Sequence, residues 1–309
     1  MKNDYTDLPA LAQDFIDYHV SVRGHSEKTA IGYANDLRVF YRCLVTRRGL
    51  DADGIHTLGA DFLAEVDLRE LYAYQSFSLD GSPVSASTRC RRTSCIKSYF
   101  NYLRRIGAVA QDPTVDLETP KRPASLPAYL EEDECLRLLD TCHGANRVRD
   151  KAILTVFLSC GLRVSELVSL DLRDLADDHL TVTGKGSKQR VVYFAEGCKK
   201  ALDKYLDLRG KDGDAALFLS QKGGRLTVRG VQQMVDKHIE LAGLDPERFS
   251  THKLRHTAAT LMLRNGVDTR ALQEVLGHSN LNTTQIYTHL DNASLRSAAA
   301  ANPIGSRVS

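Results

Sequence analysis

A cluster of prolines near the middle of the chain constrains the fold more than any other sequence feature. Half of the eight prolines among the 309 residues fall within one short stretch: Pro113, Pro120, Pro123 and Pro127. Proline lacks a backbone N–H and clashes with the preceding helical turn, so this stretch cannot form a helix. Helical patterns occur on both sides of it. The sequence therefore predicts two domains, residues 1–111 and 128–309, joined by an extended linker over residues 112–127.

The first part has the hydrophobic pattern of a small helical bundle. Ser26 is a suitable N-cap for a helix with apolar residues at i, i+4, i+7, i+8 and i+11, which ends near Gly49. Three further amphipathic patterns lie around residues 8–16, 68–72 and 96–103. Since each pattern has one apolar face, the sequence predicts a compact bundle of about four helices.

The second part is mostly helical with one β-hairpin. Helices are predicted over Tyr129–Cys142 and Arg147–Cys160, the second closed by Gly161. Two short runs rich in β-branched and aromatic residues, His179–Thr183 and Arg190–Phe194, flank a glycine-rich turn. That turn would carry Lys185 at its tip. The predicted fold class is mainly α (α+β), with a small antiparallel sheet in the second domain.

Composition excludes several classes of protein. The seven cysteines are odd in number and show no C-x-x-C spacing, so neither a disulfide framework nor a zinc module is indicated. We expect most of them to be small buried apolar residues, and we expect no metal and no cofactor. No apolar run is long enough to cross a bilayer, and the amino terminus lacks the pattern of a signal peptide. The sequence predicts a cytoplasmic protein without membrane partners.

Basic residues cluster locally although the net charge is only +2. The stretch Thr88–Arg105 contains six basic residues and no acid, and two more lie in the linker. Such a cluster can contact a DNA backbone, although a solvated charged face explains it equally well. The candidate DNA-binding residues are Arg89, Arg91, Arg92, Lys97, Lys121 and Arg122.

Six residues of the second half together suit the cleavage of a phosphodiester without metal. Arginines hold the non-bridging oxygens of a phosphate and neutralise the charge of the transition state, while a tyrosine supplies a nucleophilic oxygen. The candidate catalytic residues are Arg163, Lys185, His252, Arg255, His278 and Tyr287. Each residue alone is also compatible with a structural role, in a salt bridge, a helix cap or the core.

The local patterns around these residues limit other interpretations. His252 and Arg255 share one face near the start of an amphipathic helix, where an anion is favoured. His252 and His256 have the spacing of a zinc motif, but Lys253 stands where a metalloprotease needs glutamate. The glycine-rich turn is not a nucleotide-binding loop, because Gly186 follows the lysine where serine or threonine is required.

The ordered set of motifs resembles the tyrosine recombinase (phage integrase) family, and within it the Xer-type recombinases. The resemblance covers nearly the whole chain, including the predicted linker and the helix that follows Ser26. Five segments carry it: Gly161–Leu167 (GLRVSEL), Gly184–Lys188 (GKGSK), His252–Thr257 (HKLRHT), Leu276–Ser279 (LGHS) and Thr283–His289 (TTQIYTH). It implies a DNA-clasping N-terminal domain and a catalytic C-terminal domain.

The resemblance also implies a mechanism that needs no ATP. Tyr287 would attack the scissile phosphate and form a 3′-phosphotyrosyl link, with Arg163 and Arg255 on the non-bridging oxygens. His278 would donate another hydrogen bond, and Lys185 would protonate the departing 5′ oxygen. His252 would be a proton acceptor or a positioning group.

The same resemblance implies partners and leaves alternatives open. Such recombinases act on double-stranded DNA with two recombination sites, as homo- or hetero-tetramers that pass through a Holliday junction, and a septal DNA translocase is a possible activator. The carboxy-terminal helix would dock in a neighbouring subunit, with a disordered tail beyond Pro303. Resolution of chromosome or plasmid multimers is the favoured role. The alternatives are a phage or transposon integrase, a type IB topoisomerase, and a DNA-binding protein without catalysis.

Overall fold

The computed structural model describes residues 5–79, 81–121, 128–184, 188–210, 213–277, 296–298 and 300–307. The chain divides into two compact units, Met1–Ser125 and Leu126–Ser309. Each unit has its own hydrophobic core. The fold is mostly helical with one small antiparallel sheet, so the predicted fold class is confirmed.

The N-terminal unit is a helical bundle. Its elements are α1 (Ala10–Ser21), α2 (Glu27–Arg47), a 3-10 helix (Ala52–Thr57), α3 (Ala60–Ala64), α4 (Leu68–Ser76) and α5 (Ala86–Arg105). The Ser26 hydroxyl accepts a hydrogen bond from the backbone N–H of Thr29, so the predicted N-cap of α2 is confirmed. In the core, the Tyr41 and Tyr99 hydroxyls are hydrogen-bonded at 2.7 Å, which satisfies both buried polar groups.

The described part of the predicted linker, residues 112–121, contains neither helix nor strand. It nevertheless packs on the N-terminal unit, since Leu117 is buried in the core of that unit. The Gln75 amide donates to the Glu118 carbonyl at 2.9 Å. The rest of the predicted linker, residues 122–127, lies outside the described residues.

The C-terminal unit is built around a buried central helix, α7 (Arg147–Cys160), which packs against α9 (Glu196–Arg209) and α11 (Thr251–Arg264). Every residue from Ala152 to Cys160 is buried, so α7 is covered on all sides. The helices are α6 (Glu132–Asp140), α7 (Arg147–Cys160), α8 (Val164–Ser169), a 3-10 helix (Leu172–Asp174), α9 (Glu196–Arg209), α10 (Val228–Leu241), α11 (Thr251–Arg264), α12 (Thr269–Leu276) and α13 (Pro303–Arg307).

The predicted β-hairpin is confirmed. Strands β1 (His179–Thr183) and β2 (Gln189–Tyr193) pair antiparallel, with Val182 opposite Arg190. Since side chains alternate along a strand, Arg190 lies on the same face as the buried Val192. The turn residues 185–187, including Lys185, lie outside the described residues.

The expectation of a disordered tail beyond Pro303 is wrong. Residues Pro303–Arg307 form α13, and Ile304 is fully buried in the core of the C-terminal unit. Asn302 anchors this end, because its amide donates to the Leu158 carbonyl at 2.9 Å while its side-chain oxygen accepts from the Ile304 N–H at 3.0 Å. Asparagine before proline is a helix-start signal that explains this order.

All seven cysteines are buried, which confirms the expectation of burial, and their thiols are free. Burial raises the pKa of Cys43 to about 11 and that of Cys142 to about 12. None of the helices in the described part of the chain combines the length and apolar character needed to cross a membrane.

Candidate active site

A glycine at the end of α7 allows three helices to meet. Gly161 has φ of +61°, a left-handed conformation that glycine adopts without strain. A Cβ at this position would lie 2.9 Å from Cδ2 of Leu276, so a larger residue would displace that side chain in addition to straining the backbone. The Gly161 carbonyl accepts a hydrogen bond from Nη1 of Arg255 at 2.7 Å. The segment that follows α7 is thereby fixed to α11.

Arg163 lies two residues after Gly161, at the start of α8. Its backbone N–H donates to Oε2 of Glu166 at 2.8 Å, and its Nη1 donates to Oε1 of the same residue at 2.8 Å. The Glu166 side chain is 4% exposed, whereas that of Arg163 is 41% exposed. The carboxylate is therefore interior, and the arginine reaches from it toward solvent.

Arg255 is the buried arginine of the site. Its Nη1 donates to the Gly161 carbonyl, and its Nη2 donates to the Leu276 carbonyl at 2.6 Å. Its Nη1 also lies 3.7 Å from Oε2 of Glu166. Burial, followed by the nearby charge of Arg163, lowers the pKa of Arg255 to about 10. Arg255 therefore stays protonated at neutral pH, although it is almost completely removed from water.

A third arginine, Arg190 on β2, joins this site, and sequence reasoning missed it. Its Nη1 and Nη2 donate to Oε1 and Oε2 of Glu166, each at 3.0 Å, and its Nε donates to the Val275 carbonyl at 2.9 Å. One sequence signal could have identified it. Arg190 occupies an inward position of an alternating strand, and an inward arginine requires a buried acceptor.

Three arginines therefore share one carboxylate, an arrangement that we call the arginine cluster: Arg163, Arg190, Arg255 and Glu166. Burial alone would raise the pKa of Glu166, but hydrogen bonds from Arg190 and Arg163 outweigh it and lower that pKa. Glu166 is thus ionised at neutral pH, and the four side chains carry a net charge of +2, three positive charges and one negative. A surplus of positive charge beside an exposed guanidinium favours an anion such as a phosphate.

The structure brings together only some of the predicted catalytic residues. Arg163 and Arg255 meet at Glu166, and His252 is exposed on α11, one turn before Arg255. Lys185, His278 and Tyr287 lie outside the described residues. Two of them follow glycines that the structure describes: Gly184, at the end of β1, precedes the lysine, and Gly277, at the end of α12, precedes His278.

The predicted DNA-binding residues of α5 differ in their surroundings. Arg92 is buried and donates to the Phe77 carbonyl at 2.6 Å, so its side chain supports the fold rather than a surface. Arg91 is exposed but forms an ion pair with the buried Asp36. Arg89 and Lys97 are half-buried and Lys121 is exposed, whereas Arg122 lies outside the described residues.

Known protein families account for both units of the chain. Residues 12–107 match the N-terminal SAM-like domain of phage integrases, and residues 128–294 match the phage integrase family. The chain is 44% identical to the tyrosine recombinase XerC of Caldanaerobacter subterraneus subsp. tengcongensis, over 96% of this chain and 87% of that protein. The chain belongs to the phage integrase family and is a Xer-type tyrosine recombinase. XerC of Corynebacterium glutamicum is 35% identical, over 94% of this chain and 91% of that protein.

Solved structures of Xer and integrase proteins share this fold. The XerH site-specific recombinase bound to its difH substrate before cleavage matches with a TM-score of 0.64 and 25% identity, over 94% of this chain and 84% of XerH. A lambda integrase tetramer bound to a Holliday junction matches with a TM-score of 0.66 and 18% identity, over 91% of this chain and 79% of the integrase. The likeness to lambda integrase shows the fold alone.

Proposed function

We propose that this tyrosine recombinase cleaves and rejoins DNA at the arginine cluster, with Tyr287 as the nucleophile. The observation that carries the proposal is the surplus of two positive charges around one buried carboxylate. Arg163 is the most exposed of the three arginines, so its guanidinium is available to a phosphate oxygen. Residues 128–309 form the catalytic domain, residues 1–111 the DNA-clasping domain, and residues 112–127 connect them.

The proposed reaction is a transesterification at phosphorus. The Tyr287 oxygen forms a bond to the phosphorus while the bond to the 5′ oxygen breaks, which leaves a 3′-phosphotyrosyl link. Lys185 gives its proton to the departing 5′ oxygen, and the phenolic proton passes to a base. Arg163 and Arg255 hold the non-bridging oxygens, and His278 donates a further hydrogen bond. Attack by another strand's 5′ hydroxyl reverses the step.

His252 has two proposed roles, as the base that receives the phenolic proton or as a group that positions the phosphate. Its place on α11 supports either one, because it is exposed one turn before Arg255. A His252→Gln variant separates them. Loss of a base changes the pH profile of cleavage, whereas loss of a positioning contact lowers the rate at all pH values alike.

The proposed substrate is double-stranded DNA with two recombination sites, bound by a tetramer of recombinases. The XerH complex with its DNA supports the DNA substrate, and the tetramer stays a prediction. Xer-like resolution of chromosome or plasmid multimers is the proposed role, supported by the similarity to XerC proteins over nearly the full length. Activation by a septal DNA translocase stays a prediction.

A suicide substrate with a nick beside the scissile phosphate tests the proposal directly. DNA of the organism's own recombination site, recovered by its binding to the protein, would serve as substrate. We expect wild-type protein to form a covalent adduct with this DNA, and Tyr287→Phe to form none. The control is Tyr193→Phe on β2, which removes a hydroxyl from the same unit and is expected to leave the adduct unchanged. An undiminished adduct in Tyr287→Phe would remove this residue from the mechanism.

The same protein also distinguishes recombination from relaxation of supercoils. On a plasmid with two sites, we expect strand exchange and Holliday junctions. An enzyme that forms the adduct and relaxes the plasmid but never exchanges strands would be a topoisomerase instead.

A further inference from the structure

Arg190 lies where three segments of the C-terminal unit, from here on the catalytic unit, meet. Its guanidinium spans both oxygens of Glu166 at 3.0 Å, and its Nε reaches the Val275 carbonyl in the last turn of α12. The residue itself belongs to the hairpin strand β2. One side chain thus connects the hairpin, the start of α8 and the end of α12.

Gly277 lets the backbone approach this side chain closely, and Gly184 lies beside it. A Cβ on Gly277 would lie 3.1 Å from both Cδ and Nε of Arg190, closer than such contacts normally are. A Cβ on Gly184 would lie 3.7 Å from Nη1 of the same residue. Gly184 also closes the hairpin, because its N–H donates to the Lys188 carbonyl at 2.8 Å. The Arg190 side chain therefore packs closely against the backbone at Gly277 and lies near the backbone at Gly184.

The hydrogen bonds of Arg190 differ from those of an arginine that holds a substrate. Its side chain is 13% exposed, and Nε, Nη1 and Nη2 all donate to protein acceptors. Arg163, in contrast, uses one side-chain nitrogen on Glu166 and is 41% exposed. All three side-chain nitrogens of Arg190 are thus used on protein acceptors, which suits this residue to holding other groups in place.

We propose that Arg190 is a positioning residue for DNA cleavage, which couples the carboxylate that holds Arg163 and Arg255 to the backbone that leads into Lys185 and His278. The proposal rests on the proposed function, since it assigns the hairpin lysine to protonation of the leaving group. Its physical basis is geometric. Two of its donors, Nη1 and Nη2, bind Glu166 and the third, Nε, binds the Val275 carbonyl, so both segments are tied to the strand that carries Arg190. A lysine ammonium cannot reproduce that planar fork.

Leaving-group chemistry supplies a test that loss of folded protein cannot mimic. Single-turnover cleavage is measured on two suicide substrates, one with the normal 5′ oxygen at the scissile phosphate and one with sulfur in its place. A thiolate leaves without a proton, so a defect in protonation disappears on the sulfur substrate. The ratio of the two rates does not depend on how much of the protein is folded.

For Arg190→Lys and Arg190→Met we expect cleavage of the oxygen substrate to fall about 10–100-fold, as for other residues that orient reacting groups. On the sulfur substrate the loss should be clearly smaller, because displacement of the hairpin no longer matters there. An equal loss on both substrates, or full activity of Arg190→Lys, would overturn the proposal.

The matched control is Arg225→Lys. Arg225 also binds backbone carbonyls, those of Val168 and Leu170, together with the carboxylate of Asp171. For this variant we expect the cleavage rates on the oxygen and sulfur substrates to change by the same factor. Failure of the proposed function is recognised separately, because Lys185→Ala would then show no rescue by sulfur or wild type would form no adduct.

Discussion

Asp36 in the N-terminal unit and Glu166 in the catalytic unit are both buried carboxylates beside arginine, but their pKa values shift in opposite directions. Asp36 in the N-terminal unit forms an ion pair with Arg91, and burial raises its pKa more than Arg91 and the charge of Arg92 lower it. Glu166 in the catalytic unit faces three arginines, and although burial raises its pKa, the hydrogen bonds and charge of Arg190 and the hydrogen bonds of Arg163 lower it below its ordinary value. Glu166 accepts hydrogen bonds from two arginine side chains and from the Arg163 backbone, whereas Asp36 accepts one from Arg91, and these additional hydrogen bonds account for the opposite sign.

This difference separates an arginine that supports the fold from a cluster that can bind an anion. The pair of Asp36 and Arg91 is neutral, so it presents little charge to DNA. The arginine cluster retains a charge of +2 after Glu166 is counted, because three cations share one anion. A basic residue is thus a candidate phosphate contact only after the acids around it have been subtracted.

The largest expected effect is that of Glu166→Gln. Removing the charge leaves three arginines without a counter-ion, and Arg255 is buried, so the free energy of unfolding should fall by about 3–5 kcal/mol. Urea denaturation followed by circular dichroism measures this. The control is Glu131→Gln, whose side chain accepts from Arg264 at 2.7 Å in a half-exposed pair, and which should cost about 1 kcal/mol or less.

Asp36→Asn should have a smaller effect. The amide oxygen still accepts a hydrogen bond from Arg91, and the cost of burying a charged carboxylate disappears. We expect the free energy of unfolding to fall by about 1 kcal/mol or less in the same denaturation experiment. A loss as large as that of Glu166→Gln would contradict the distinction between the two carboxylates.

Acid should change the stability of wild type in opposite directions relative to Glu166→Gln and relative to Asp36→Asn. The folded pKa of Glu166 lies below its ordinary 4.5, so its stabilisation is complete above pH 4.5 and is lost as pH falls through the folded pKa. The folded pKa of Asp36 lies above 3.8, so its ionisation costs stability above the folded pKa, and this cost disappears as pH falls toward 3.8. From pH 7 toward about pH 4, wild type should therefore lose stability relative to Glu166→Gln and gain relative to Asp36→Asn. Shifts of equal sign in denaturation at several pH values would refute this.

The smallest effect concerns the salt dependence of DNA binding. If Lys97 contacts a phosphate, Lys97→Gln should flatten the plot of log affinity against log salt by about one unit. Arg91→Gln should flatten it by less, because Asp36 already balances that charge. Fluorescence anisotropy with a random-sequence duplex measures both slopes. Equal slopes for the two variants would show that the ion pair does not withhold Arg91 from DNA.

Local patterns were sufficient to predict most of the fold. The Ser26 cap, the apolar spacing of α2 and the left-handed Gly161 each depend on a few neighbouring residues, and all are confirmed. The hairpin was predicted for the same reason. Order beyond Pro303 was missed, although Asn302 and Pro303 form a local helix-start signal.

The site was predictable only in part, because its contacts join distant segments. Arg163 and Arg255 were identified from motifs, but three arginines on one carboxylate bring together residues 163–166, 190 and 255. No local pattern specifies that. Similarly, Arg91 and Arg92 are adjacent in sequence, yet successive residues of a helix point about 100° apart. One is therefore exposed and the other buried, which a count of basic residues does not show.

The buried cysteines give the native chain a chemical probe of each unit. A thiol reacts as its thiolate, and these side chains are both covered and, at Cys43 and Cys142, shifted to high pKa. Alkylation of these thiols should therefore require local unfolding that exposes them. Cys43, Cys90 and Cys95 belong to the N-terminal unit, and Cys135, Cys142, Cys160 and Cys198 to the catalytic unit. Mass spectrometry of alkylated peptides would thus show which half opens first, without any engineered label.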